Sequence, residues 1–137
     1  MIQFVDTNIF LRYLTRDDPD KAEACFQLLE KARKNEISLT TSESVIAEIV
    51  FVLASPRLYN LSRADVRARL YPLLTLEGLR LPDRRKFMRA LDLYTNYTID
   101  FEDALTVAEM EQSEIKTLYS YDMDFDKIES VKRIEPV

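Results

Sequence analysis

The chain has 137 residues, 47% of them hydrophobic and 31% charged, with a formal net charge of −5, which suits one globular domain spanning 1–137 with a buried core. It contains no histidine, one glycine (Gly78) and one cysteine (Cys25), which excludes imidazole-based nucleophilic catalysis, zinc sites, intrachain disulfides, and glycine-rich phosphate loops. What it offers instead is carboxylate, 24 acidic against 19 basic residues, a donor set suited to hard divalent cations.

Residues 2–5 (IQFV) form a short apolar run of the kind expected for a buried parallel strand. The polar Asp6 that follows interrupts any signal-peptide apolar region, and the longest apolar run, Ile49 to Ala54, is far below the ~20 residues of a membrane span, so a cytoplasmic location is expected. Residues 7–15 read as a helix, and 19–34 as a longer one with Asp18 as N-cap and Pro19 at the first helical position. Cys25, in the helical and mostly apolar AEACFQLL, is expected in the core. A strand is expected over 37–41, then a helix capped by Ser42 and running to about Ala54. Helix 62–71 ends where Pro72 disturbs it, and a short strand at 78–81 precedes a helix over 83–97. Helix 101–113, strand 116–120 and an edge strand at 131–134 complete the pattern. Strands alternating with helices predict a three-layer α/β/α fold with a mainly parallel central sheet.

Charge is segregated along the chain. Residues 56–97 carry nine basic groups against four acids, whereas 98–126 carry nine acids and one lysine. Such a split fits either two solvated helix faces or a phosphate-bearing partner held by the basic side and bridged by cations on the acidic side.

Four carboxylates stand out. Asp6 ends the first apolar run, at the sheet edge where open α/β folds place ligands, although it is equally suited to cap the next helix. Glu48 lies in SVIAEIVFVLA, which leaves it only a narrow polar stripe through Ser44 and Ser55, and Phe51 falls on that stripe. Burial there would demand a partner or a metal. Asp103 begins a helix and is followed on its own face by Val107 and Met110, which turns it inward, while Asp100 and Glu102 default to the surface. Asp122 follows a strand directly within YSYDMDFDKI; Asp124 is a secondary candidate, and Asp126 is expected to cap a turn. Asp6, Glu48, Asp103 and Asp122 are expected to converge on one sheet edge. Two carboxylates 4 Å apart repel by about 4 kcal/mol at an effective dielectric near 20, a conflict that Mg²⁺ or Mn²⁺ removes.

The segments FVDTN (4–8), SVIAEIVFVL (44–53), DFEDAL (100–105) and LYSYDMDF (118–125) resemble, in order and spacing, the motifs of PIN-domain ribonucleases. The likeness is greatest to VapC-type toxins of bacterial and archaeal toxin–antitoxin pairs. The resemblance implies an acidic pocket and Mg²⁺- or Mn²⁺-dependent endonucleolytic cleavage of RNA, with Asp6, Glu48, Asp103 and Asp122 matching the metal-binding acids. Asn8, Ser120 and Asp124 would support them. It also implies a cognate antitoxin that inserts an apolar helix and a basic side chain near the pocket, and a homodimer. Arg84, Arg85, Lys86 and Arg89, on one predicted helix, are candidates for phosphate contact, as are Arg63, Arg67 and Arg69.

Two other readings compete. A PIN domain acting in RNA processing outside any toxin system has the same residues, and only gene context separates the two. A phosphoacceptor signalling domain also uses an acidic Mg²⁺ pocket, but the predicted strand ISLTT is followed by Ser42, not an aspartate, and Ile134 by Glu135, not a lysine.

Overall fold

Polar residues placed one position ahead of the first helical residue set most of the helix starts. Asp6, Asp18, Ser42 and Ser62 each accept a backbone N–H of the helix that follows, satisfying donors that the first helical turn leaves without partners. The computed structural model describes residues 1–137, in two compact units, 1–84 and 85–137. No helix is long and apolar enough to cross a membrane.

The first unit contains β1 (Ile2–Phe4), α1 (Thr7–Thr15), α2 (Pro19–Arg33), β2 (Ser38–Thr40), α3 (Glu43–Ala54) and α4 (Arg63–Leu74). β1 and β2 pair in parallel, with Gln3 opposite Leu39. The strand expected at 78–81 is reduced to one parallel bridge, Leu39 to Leu79. Leu39 N–H donates to the Gly78 carbonyl and Arg80 N–H to the Leu39 carbonyl, both at 2.7 Å. The core is built from Phe10, Leu29, Leu39, Ile46, Leu53 and Leu70, each at most 1% exposed, and Cys25 is buried as expected. Gly78 explains its own identity: a Cβ there would lie 2.5 Å from the carbonyl oxygens of Ala32 and Ile37.

Two expectations for this unit are corrected. β1 is not buried: Ile2 and Phe4 are 59% and 62% exposed, and only Val5, beyond the strand, enters the core. Within the unit β1 pairs on one side only. α4 runs past Pro72 to Leu74, because a proline in the last turn forfeits a single intrahelical hydrogen bond. The Pro72 carbonyl then accepts the Thr75 hydroxyl at 2.8 Å.

The second unit carries α5, whose range Arg84–Asn96 begins at the unit boundary, then α6 (Phe101–Gln112), β3 (Thr117–Tyr119), the 3-10 helix η1 (Met123–Lys127) and β4 (Lys132–Ile134). β3 and β4 are parallel, with Leu118 opposite Arg133. α5 and α6 bury Leu91, Leu93, Ala104 and Val107 completely, and Tyr94 meets Phe101 edge to face at 6.1 Å. The fold is α/β with parallel pairing throughout, and the pairing is divided between two short sheets.

With its one glycine used for close approach, the chain fills left-handed backbone positions with Arg16, Asn35, Asn60 and Glu114. Asparagine tolerates this region, whereas arginine and glutamate carry a cost of about 1 kcal/mol each.

Candidate metal centre

In the first unit, hydrogen bonds from β2 and its exit fix the exit of β1. Val5 N–H donates to the Thr40 carbonyl at 2.9 Å, and the buried Thr41 hydroxyl donates to the Val5 carbonyl at 2.7 Å. Asp6 follows immediately, exposed, with Oδ1 accepting the Asn8 N–H at 3.1 Å as the cap of α1. Both expectations for Asp6, helix cap and strand-exit position, are met by the same residue. Thr7, 7% exposed, donates its hydroxyl to Glu48 Oε2 at 2.8 Å. Glu48 itself is exposed, as are Ser44 and Phe51. Of the two placements open to Glu48, the structure takes the polar stripe, and Phe51 at 71% exposure lies in solvent on it.

In the second unit, carboxylate oxygens of Asp103, Asp122 and Asp124 lie within 4.8 Å of one another. Asp103 is on the first turn of α6, half-buried, above the buried Val107 and Met110, while Asp100 and Glu102 are exposed. Burial raises the Asp103 carboxyl above its ordinary value, and the charges of Asp122, Asp100, Asp124 and Glu102 push it in the same direction. Asp122 caps η1, with Oδ1 accepting Asp124 N–H at 2.9 Å. Ser120 Oγ in turn accepts Asp122 N–H at 3.0 Å. Lys127 Nζ lies 3.0 Å from Asp124 Oδ1 and donates to the Thr98 carbonyl at 2.8 Å.

Asp126 does not cap the turn as expected. Asp122 takes that role, and Asp126 is held by Arg133. The guanidinium of Arg133, its charge reinforced by Asp126 and Glu135, was not anticipated from sequence, and neither was the Thr7 bond to Glu48. The signals existed: an arginine between Lys132 and Ile134 with acids on both sides in sequence, Asp126 and Glu135, and a threonine beside a candidate acid.

The basic residues are mostly engaged within the protein. Arg84 donates to the Leu79 carbonyl and, at 3.3 Å, to that of Leu76. Lys86 is only 8% exposed, beside the buried stripe of α5. Arg89 forks onto Glu111 at 2.8 and 3.0 Å, and Arg85 is exposed. On α4, Arg67 covers the Tyr71 ring at 4.3 Å and Arg69 donates to the Leu14 carbonyl. Of the tyrosines, Tyr94 is buried, whereas Tyr119 and Tyr121 are 67% and 69% exposed.

A family profile described as the PIN domain matches residues 3–131. The chain belongs to the PIN domain family. Membership sets aside the phosphoacceptor alternative. Two solved structures are similar to this PIN domain over most of their length. One is VapBC2 from Rickettsia felis bound to a DNA fragment from their promoter, with 17% identity, a TM-score of 0.41 and 98% of both chains covered. The other is VapC20 from Mycobacterium tuberculosis, a sarcin-ricin loop cleaving toxin, with 22% identity, a TM-score of 0.38, and 92% of this chain and 93% of that one covered. No curated protein matches the chain.

The three-aspartate group suits a divalent cation by its chemistry. All its donors are carboxylate oxygens, their mutual repulsion falls on a half-buried Asp103, and a hard cation both binds such oxygens and cancels that repulsion.

Proposed function

We propose that this PIN domain is a Mg²⁺- or Mn²⁺-dependent endoribonuclease, acting as the toxin of a type II toxin–antitoxin pair. The observation that carries the reading is the Asp103, Asp122 and Asp124 group, with oxygens within 4.8 Å of one another, in a chain matched to the PIN domain over 3–131. The order and spacing of the four sequence motifs support the toxin assignment within that family.

Asp103, Asp122 and Asp124 are the residues that would hold the cation. When bound, such an ion supplies Lewis-acid stabilisation of phosphodiester charge and acidifies water. Asp103 contributes a desolvated carboxylate whose charge is costly until it is neutralised. Ser120 and Asp122 fix the backbone that presents Asp124. Asp6 and Glu48 are assigned to the same reaction through their motifs, Glu48 as a ligand or as the group that orients the attacking water. The Thr7 hydroxyl donates to Glu48 Oε2 and would help to orient it, and Asn8 would serve beside Asp6 as a polar support. RNA is the substrate; Arg85 and Arg89 are the exposed members of the α5 basic group, and with Arg89 engaged by Glu111, Arg85 is the one offered for phosphate contact. A cognate antitoxin, a homodimeric state and a cytoplasmic location belong to the same proposal.

Incubating the purified chain with structured and single-stranded RNA tests the activity. Cleavage is expected with Mg²⁺ or Mn²⁺ and not with EDTA. Induced expression in a bacterial host tests the biological role. Growth arrest relieved by a co-expressed product of an adjacent short gene supports a toxin, whereas cleavage without arrest points to RNA processing.

A further inference from the structure

Three aspartates alternate along YDMDFDK, yet only Asp122 and Asp124 join Asp103 in the acidic group. The third, Asp126, is taken by Arg133 of β4: Nε donates to Oδ1 at 2.9 Å and Nη2 to Oδ2 at 3.2 Å. Nη1 of the same guanidinium donates to the Ser120 carbonyl at 3.0 Å and to Glu135 Oε2 at 2.7 Å. The Arg133 side chain is 12% exposed, while those of Asp126 and Glu135 are 49% and 51% exposed. The cation is thus sunk beneath the segment, with its counter-charges toward solvent.

These bonds close a ring around the candidate ligands. Ser120 stands two residues before Asp122 and Asp126 two residues after Asp124, and Arg133 grips both. Between them, Ser120 Oγ accepts Asp122 N–H and Asp122 Oδ1 accepts Asp124 N–H. The buried Phe125 pins the middle of η1. Resting on the metal reading above, we propose that Arg133 is a positioning residue for the cation site: it holds 120–126 in the curve that presents Asp122 and Asp124 to Asp103, and turns Asp126 away. The role needs an arginine. A planar fork meets a carboxylate at two points and still has a donor for a carbonyl, whereas an ammonium cannot do both in that geometry.

The test compares wild type, Arg133→Lys, Arg133→Gln, Asp126→Asn and Leu93→Ala as full-length protein. Leu93, fully buried in the same unit, serves as a destabilised control that is no member of the hydrogen-bonded ring. Mn²⁺ binding is read by electron paramagnetic resonance well below each unfolding midpoint, and amide exchange of 121–127 is read in EDTA. Arg133→Lys is expected to bind Mn²⁺ about tenfold more weakly, the lower range for losing an outer support of a metal ligand. Exchange of 121–127 should quicken about tenfold, as local opening predicts. Leu93→Ala should lower the unfolding midpoint with Mn²⁺ affinity retained. If Arg133→Gln does not fold, Asp126→Asn, which removes half of the fork, must show the same weakening. Wild-type Mn²⁺ affinity in Arg133→Lys, or an equal loss in Leu93→Ala, overturns the positioning role and leaves the metal reading standing. A wild-type chain that binds no Mn²⁺ overturns both.

Discussion

The Thr7 hydroxyl reaches Glu48 Oε2 at 2.8 Å, joining two residues 41 positions apart in sequence. The threonine is buried and the glutamate exposed, so the bond draws a surface carboxylate against the first turn of α1. Replacing Thr7 by valine keeps shape and removes the donor. It should cost about 1 kcal/mol, the typical net value for a hydrogen bond, because the exposed carboxylate can turn to water instead. Urea unfolding checks this, and an unchanged midpoint would contradict a structural coupling of Thr7 to Glu48.

Asp103 is held above its ordinary value of 3.8 by burial and by neighbouring carboxylates. Its folded form therefore binds a proton more tightly than its unfolded form. The stability it contributes is present below the unfolded value and is lost as pH rises through the folded one. In EDTA, wild-type stability should fall over that window relative to Asp103→Asn, and saturating Mn²⁺ should restore it above the window. Urea midpoints across pH check the sign. A carboxyl titrating at or below 3.8 would contradict it.

Lys127 is the cation already present beside the acids, 3.0 Å from Asp124. A divalent ion on Asp124 must bind against that charge. Lys127→Met should therefore tighten Mn²⁺ binding about two- to fivefold, in keeping with the modest energy of an exposed ion pair. Calorimetric titration reads the change, and weakened binding would assign Lys127 a supporting role instead.

Gly78 donates its N–H to the Ala32 carbonyl at 2.8 Å, and an added methyl would meet backbone at 2.5 Å on two sides. Backbone yields less than a side-chain end, so Gly78→Ala should destabilise by about 3 kcal/mol, the upper part of the overpacking range. Thermal unfolding checks it; a cost under about 1 kcal/mol would show that the Ala32 and Ile37 segments move apart easily.

Local signals in the sequence were strong where one residue decided the outcome. Asp18, Ser42 and Pro19 mark helix starts because capping is a matter of neighbouring backbone groups. Asp103 declared its inward face through Val107 and Met110, since helical spacing fixes which residues share a side. For Glu48 the sequence leaves burial and the polar stripe both open, because an apolar composition around a helix does not say which side is covered; Phe51 is apolar and still exposed. Lys86 was assigned to phosphate on charge alone, although its flank of α5 faces the core. The grip of Arg133 on Ser120 and Asp126 spans 13 and 7 residues and depends on the pairing of β3 with β4. No local pattern announces it.

The proposed activity of this PIN domain is RNA cleavage that depends on a divalent cation, which its aspartates would hold. Its most direct measurement is the single-turnover cleavage rate of one RNA at saturating Mg²⁺ for wild type, Asp103→Asn and Asp6→Asn, each confirmed to be folded. Each variant should lose at least about a hundredfold, the scale of removing a group that stabilises transition-state charge, with wild-type cleavage abolished by EDTA. Undiminished cleavage by both variants, or wild-type cleavage that persists in EDTA, would contradict the account.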